Sequence, residues 1–201
     1  MNDTRERLIT ATTELFRTRG YFGTSVKDVV VAAEATNGSL YHFFPGGKPE
    51  LAATVLLESG ESYRLLFEQI ADEADDAASA VSAFFDGAAD VLEQLAFLEI
   101  CPIGTVAREV ASVDDSLRAA CASVFASWAS TATARFERAG MESQVARRLA
   151  GVVIATLEGA FVLARTHRDT TVVRDAGQVM SGVVQRSMPT ALVDTGSSGS
   201  A

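Results

Sequence analysis

Apolar and polar positions alternate with a helical period along nearly all of the 201-residue chain. Leu8, Thr12, Leu15 and Phe16 recur every three or four residues, which predicts a helix over residues 4–19, stopped by Gly20. Thr24 or Ser25 is placed to cap a short second helix reaching about Ala33, and Thr36 or Asn37 opens a third that ends by Phe43. Pro45-Gly46-Gly47 then breaks the chain. Pro49 suits a first helical turn, with Glu50 favourable beside the helix dipole.

Longer helices follow. One is predicted over residues 49–71. The acidic run "ADEADDAA" precedes a second, which reaches about Leu98, and Pro102 interrupts before a shorter helix over residues 104–112. Asp114 or Asp115 caps the next, with Leu117, Cys121, Val124, Phe125, Trp128 and Ala132 in register and Gly140 at its end. Residues 143–167 and 171–187 form the last two, and "TGSSGSA" reads as a flexible tail. No strand-turn-strand pattern stands out. The predicted fold is all-α: a small three-helix unit (residues 1–48), a bundle of about six helices (49–190) and a tail (191–201).

Composition agrees. Hydrophobic residues make up 48% of the chain and proline only 4 positions, so a packed helical protein is expected rather than a disordered one. The net charge of -9 at first argues against a nucleic-acid partner. Its distribution changes the picture. Through residue 50, Arg5, Arg7, Arg17, Arg19, Lys27 and Lys48 balance Asp3, Glu6, Glu14, Asp28, Glu34 and Glu50, so the whole acidic excess lies in the bundle. A neutral first unit can present a local positive face, and an acidic body favours one docking orientation on DNA.

The first residues, "MNDTRERLIT", are polar where a signal peptide would turn apolar. Cys101 and Cys121 are read as buried free thiols of a cytoplasmic protein. The longest apolar stretch, Leu149 to Ala164, is shorter than the roughly 20 residues that span a bilayer. Glu158 in its middle would cost about 2.5–3.5 kcal/mol there. It is read as a buried helix, with no membrane partner. No metal-ligand spacing, phosphate loop or nucleophile-base constellation appears, so no catalytic residue, metal or cofactor is assigned and an enzyme is not expected.

The first unit carries the chemistry. Two short helices separated by a tight turn form a helix-turn-helix pattern, whose second helix reads base edges in the major groove. Val29, Ala32, Ala33 and Leu40 are its expected packing residues. Thr36, Asn37 and Ser39 offer hydrogen-bonding side chains, and Gly38 lets the backbone approach DNA. Tyr41 and His42 can reach phosphates. Thr24, Ser25 and Lys48 can clamp the flanking backbone. Each has a plainer reading: Tyr41 as core, His42 as a surface histidine, Lys48 as an ordinary helix-start lysine.

"LFRTRGYFGTSVKDV" and "TNGSLYHFFPGGK" together resemble the DNA-binding domain of the TetR (tetracycline-repressor-like) family of bacterial regulators. The resemblance covers residues 4–50. It implies an all-α homodimer of two-domain subunits that represses transcription until a small ligand binds the larger domain. It also implies contacts to double-stranded operator DNA by Thr24, Ser25, Thr36, Asn37, Gly38, Ser39, Tyr41, His42 and Lys48. Two features depart from the commoner pattern. Glu34 stands at a turn where family members often have glycine, and a left-handed non-glycine costs roughly 1–2 kcal/mol. The "FPGGK" loop is one residue longer. With "CPIGTVAREV" it resembles a subfamily associated with multidrug-efflux-type genes.

In the bundle, Phe84, Phe85, Leu92, Phe97, Cys101, Ile103, Val106, Phe125, Trp128 and Phe161 either line a cavity for a small hydrophobic effector or fill the core. Pro102 breaks the chain beside that region and would let occupancy move the shorter helix. Glu158 must be protonated or have a partner: a ligand, or an arginine such as Arg108. Gly151, Ala155 and Gly159 recur every four residues. With Val152, Val162, Val172, Val179 and Val183 they form either a four-helix dimer interface, as the family implies, or a close contact within one subunit. A helical ligand carrier without DNA activity remains the rival function; it would explain the apolar body and leave "TNGSLYHFF" without a role.

Overall fold

A computed structural model describes residues 2–98 and 101–189. The described residues are helical, without strands: α1 Asn2–Arg19, α2 Val26–Ala32, α3 Asn37–Phe43, α4 Lys48–Glu73, α5 Ala77–Gln94, α6 Pro102–Val110, α7 Asp115–Arg138, α8 Ser143–His167 and α9 Thr171–Arg186. The tail expected over residues 191–201 lies outside the described residues.

Local chemistry sets most boundaries. Ser25 and Asp28 form a reciprocal capping box on α2, and the Thr36 hydroxyl accepts the Ser39 N–H to start α3. Asp76 and Asp114 cap α5 and α7 in the same way, and Glu142 accepts from Gln144 and Val145 at the start of α8. Each of these contacts satisfies backbone donors that a helix start leaves unpaired.

α5 stops at Gln94, short of the expected Leu98. Ala96 and Phe97 both adopt left-handed backbone, with φ of 49° and 64°. Their carbonyls are taken up at the end of α8: Arg168, just past the helix, donates to Ala96 O and Arg165 to Phe97 O. α6 starts earlier than expected, with Pro102 inside its first turn and the Cys101 sulfur accepting the Gly104 N–H at 3.2 Å.

α1, α2 and α3 form the first unit, and α4 joins it to the bundle by packing on α1 and on α5, α6 and α7. The core runs through both parts. Leu8, Phe16, Val29 and Leu40 are buried in the first unit; Leu51, Val55 and Leu56 continue it along α4. Ala32, expected to pack, is exposed; Val30 and Ala33 take the inward positions on α2. α5 lies against α9, α4 against α7, and α7 against α8. Glycine allows the first of these contacts, because a Cβ at Gly177 would come within 2.5 Å of the Phe85 side chain. α8 is long and apolar enough to cross a bilayer by length and composition. Here it packs on α7 and α9 and buries Val153, Leu157, Phe161 and Ala164.

Candidate nucleic-acid interface and effector cavity

α3 is too short to be held by its own backbone, so its neighbours hold it. Leu40 is fully buried beneath it, and α3 packs on α1 and α2. This leaves Asn37, Gly38, Tyr41 and His42 exposed along the outer side. Ser39 Oγ lies 3.0 Å from Thr36 Oγ1, which fixes both hydroxyls at the helix start. Tyr41 is 52% exposed, which rules out its reading as core. Its ring edge rests on Gly47, where a Cβ would come within 3.2 Å. His42 stacks edge-on against Phe43 at 5.0 Å. Thr4 of α1 borders the same groove as Thr36, Gly38, Ser39 and His42, and sequence reasoning missed it. Groove-facing threonines on a first helix carry no local signature.

In the turn before α3 Glu34 adopts left-handed backbone, with φ of 48°, so the turn is strained at a non-glycine residue. The Ala35 N–H donates back to Val30 O at 2.8 Å, closing the helix-turn-helix angle.

Three of the expected DNA contacts are engaged inside the protein. The Thr24 side chain is buried and donates to Gly20 O at 2.7 Å, so its hydroxyl does not face DNA. The Ser25 hydroxyl is held by Asp28, which it keeps below the usual carboxylate range. Lys48 donates to Tyr21 O at 2.7 Å, and its ammonium lies 3.9 Å from the Tyr21 ring centroid. Burial lowers its pKa, against the opposing pull of the Glu109 charge. Lys48 is a clamp on the α1–α2 turn.

The bundle forms a partly open cavity of about 240 Å³ between α4, α5, α7 and α8. Of the expected lining residues, Phe84, Cys101, Trp128, Glu158 and Phe161 border it. Phe85, Ile103 and Val106 do not: all three are fully buried in the core. Leu92 is likewise core. Phe97 belongs to the turn after α5, and Phe125 backs Trp128 edge-on at 5.5 Å. The α4 wall, Tyr63, Leu66, Phe67 and Ile70, was not foreseen.

The walls are apolar and aromatic. Phe67 and Phe84 meet edge-on at 5.3 Å, as do Tyr63 and Trp128 at 6.1 Å. The Trp128 indole donates to Gly60 O at 2.8 Å, so its polar atom is already satisfied. Burial is the main reason the Tyr63 phenol is pushed up to about 12, keeping it neutral. Arg64, also on the wall, is held by Glu61 at 2.7 Å and Glu68 at 2.8 Å. Glu158 brings a carboxylate to the wall and packs against Gly104 of α6, where a Cβ would overlap it. Cys121 is a buried thiol, pushed up to about 11 by desolvation. Among the described residues no cluster of acidic, histidine or cysteine side chains is arranged to hold a metal.

On α8, Gly151, Ala155, Gly159, Val152 and Val162 are exposed together, and Val179 of α9 is 64% exposed. A Cβ at Gly151 or Gly159 would meet nothing within 4 Å of the subunit's own atoms. Val183 is half-buried beside this face.

Fold and site define a helix-turn-helix protein with a helical second domain that carries an apolar cavity. The family model described as bacterial regulatory proteins of the tetR family matches residues 8–55. Another, the C-terminal domain of LmrA/YxaF-like transcriptional regulators, matches residues 77–179. The chain is 31% identical over 169 residues to the uncharacterized HTH-type transcriptional regulator YxaF of Bacillus subtilis, covering 84% of this chain and 88% of that protein. It is equally identical, over the same length, to the HTH-type transcriptional regulator LmrA of Bacillus subtilis, covering 90% of that protein. The crystal structure of a TetR transcriptional regulator from Chloroflexus aurantiacus matches with a TM-score of 0.79 at 27% identity, covering 94% of this chain and 98% of that one. The chain belongs to the TetR family of transcriptional regulators. Such regulators bind operator DNA as dimers and are not enzymes.

Proposed function

We propose that this protein is a dimeric repressor, released from a palindromic operator by a small hydrophobic effector. The observation that carries the reading is α3: a helix of seven residues, buried on one side by Leu40, with Asn37, Gly38, Tyr41 and His42 exposed on the other. Asn37 and Ser39 are placed to read bases near the helix start. Tyr41 and His42 are suited to phosphates, as is the backbone at Gly38. Thr36 and Ser25 act mainly as caps, with their hydroxyls at the rim.

Two such helices, related by the dimer axis, would enter successive major grooves about 34–36 Å apart. The exposed small-residue stripe on α8, with Val162, Val179 and Val183, supplies the dimer face. In each subunit the effector binds among Tyr63, Phe67, Phe84, Trp128 and Phe161. Glu158, Tyr63 and Thr131 bring polar atoms to the same wall, suited to a hydrogen-bonding or cationic group. Occupancy favours a dimer whose reading helices no longer match the groove spacing, a coupling of typically about 1–3 kcal/mol. Regulation of efflux-type genes in the cytoplasm follows the subfamily resemblance.

The test begins with selection of a bound sequence from random DNA, followed by fluorescence-polarisation titration at two salt concentrations. Selective binding weakened by salt supports the reading. Binding indistinguishable from that of scrambled DNA at low salt would sink it and leave a ligand carrier.

A further inference from the structure

Glu109 belongs neither to the DNA-facing surface nor to the cavity wall, yet it joins the two domains. It occupies the last turn of α6. Its Oε2 accepts the Tyr21 N–H at 2.7 Å and the Phe22 N–H at 3.1 Å, both in the turn between α1 and α2. Gly20, with φ of 71°, makes the space: a Cβ there would overlap the Glu109 carboxylate. From the other side Lys48, at the start of α4, binds the Tyr21 carbonyl. One acid from α6 and one base from α4 therefore hold a single turn of the DNA-binding unit. Bonds from backbone N–H to a carboxylate are among the stronger hydrogen bonds in proteins.

The opposite end of α6 is at the cavity. Cys101 caps that end and lines the cavity, and Gly104 lies against the Glu158 carboxylate, which lines it too. Between the ends, Ile103, Val106 and Val110 are fully buried. A nine-residue helix spans roughly 13 Å, and buried contacts along its length make it shift as a unit.

We propose that Glu109 is the positioning residue through which occupancy of the cavity is passed to the reading helices. This rests on the cavity being the effector site. A group entering among Phe84, Trp128 and Glu158 moves Glu158 off Gly104. α6 follows, and Glu109 draws on the Tyr21 and Phe22 amides. The α1–α2 turn then changes the setting of α2 and α3.

The test uses the full-length protein, its selected DNA and a permanent occupant of the cavity. Gly87 lines the cavity, and a Cβ there meets nothing within 4 Å, so Gly87→Leu fills the space without an identified ligand. In the otherwise native protein, Gly87→Leu is expected to lower operator affinity about ten-fold, within the usual range of allosteric coupling. In a Glu109→Ala background, which removes the acceptor of both amides, the same substitution is expected to change affinity by less than about two-fold, which makes the cycle strongly non-additive. Native-state exchange of the Tyr21 and Phe22 amides should speed up in Gly87→Leu while circular dichroism is unchanged. An equal loss of affinity in the Glu109→Ala background overturns the proposal and leaves the effector cavity standing. A loss of affinity with Tyr21 and Phe22 exchange unchanged also overturns it, without needing any Glu109 variant to fold. If Gly87→Leu leaves operator affinity untouched in the native background, the effector cavity itself fails, and the proposal with it.

Discussion

The ammonium of Lys48 is bonded to the carbonyl of Tyr21 and stacked on the same residue's ring, 3.9 Å from its centroid. A lysine at the start of a helix near DNA invites assignment to a phosphate. Here the charge is occupied within the protein. Lys48→Ala should therefore cost stability, about 1–2 kcal/mol from the lost hydrogen bond and cation–π contact. A phosphate-bound lysine, once removed, reduces the slope of log affinity against log salt by about 1. Lys48→Ala is expected to leave that slope unchanged, and polarisation titrations over a salt series measure it.

Asn37 and Tyr41 should behave differently from each other. Asn37→Ala is expected to cost about 1–3 kcal/mol of operator affinity and to relax sequence preference at one position of each half-site. Tyr41→Phe should weaken binding evenly across sequences. Both residues are exposed, so urea midpoints should stay within about 0.5 kcal/mol of the native protein. A large fall in stability for either would mean that the side chain belongs to the fold instead.

Glu34 is held in a left-handed conformation that glycine adopts freely. Glu34→Gly should stabilise the first unit by up to about 1 kcal/mol, relief of strain outweighing the greater freedom of the unfolded chain. Urea unfolding gives the sign directly. A destabilised variant would show that the Glu34 side chain contributes more than its backbone costs.

Ala155 tests the dimer face. Ala155→Arg places a long cation on an exposed stripe that is open in one subunit. Sedimentation should then show a monomer whose far-UV circular dichroism is unchanged and whose melting is lower, because association no longer stabilises the folded state. Operator affinity should fall by at least about 100-fold, because two linked reading helices bind far more tightly than one. A dimer that survives the substitution moves the interface elsewhere.

The first unit was legible in the sequence because its signals are local. Capping residues lie next to the helices they start, while the conformation at Glu34 stayed open because only the family resemblance pointed to a turn there that favours glycine. Thr24 and Lys48 were misread because a hydroxyl or an ammonium does not announce its partner. Gly20 O is set by the turn after α1, four residues before Thr24, and Tyr21 O meets Lys48 only when that turn and the start of α4 come together. The cavity was half legible for a related reason. A helical period shows which face turns inward, not whether that face meets another side chain or empty space. Phe84 and Phe85 are neighbours in the chain, yet one borders the cavity and the other fills the contact with Gly177. The α4 wall was missed because its partners lie on α5 and α7, farther along the chain.

Trp128 is the only tryptophan in the protein, and its indole forms part of the cavity wall while its N–H is fixed on Gly60. The molecule thus carries a built-in optical reporter. Ultraviolet emission from the unlabelled protein comes chiefly from one ring at the place where a bound compound would sit. A library of apolar compounds can be screened by quenching or spectral shift before any operator is known.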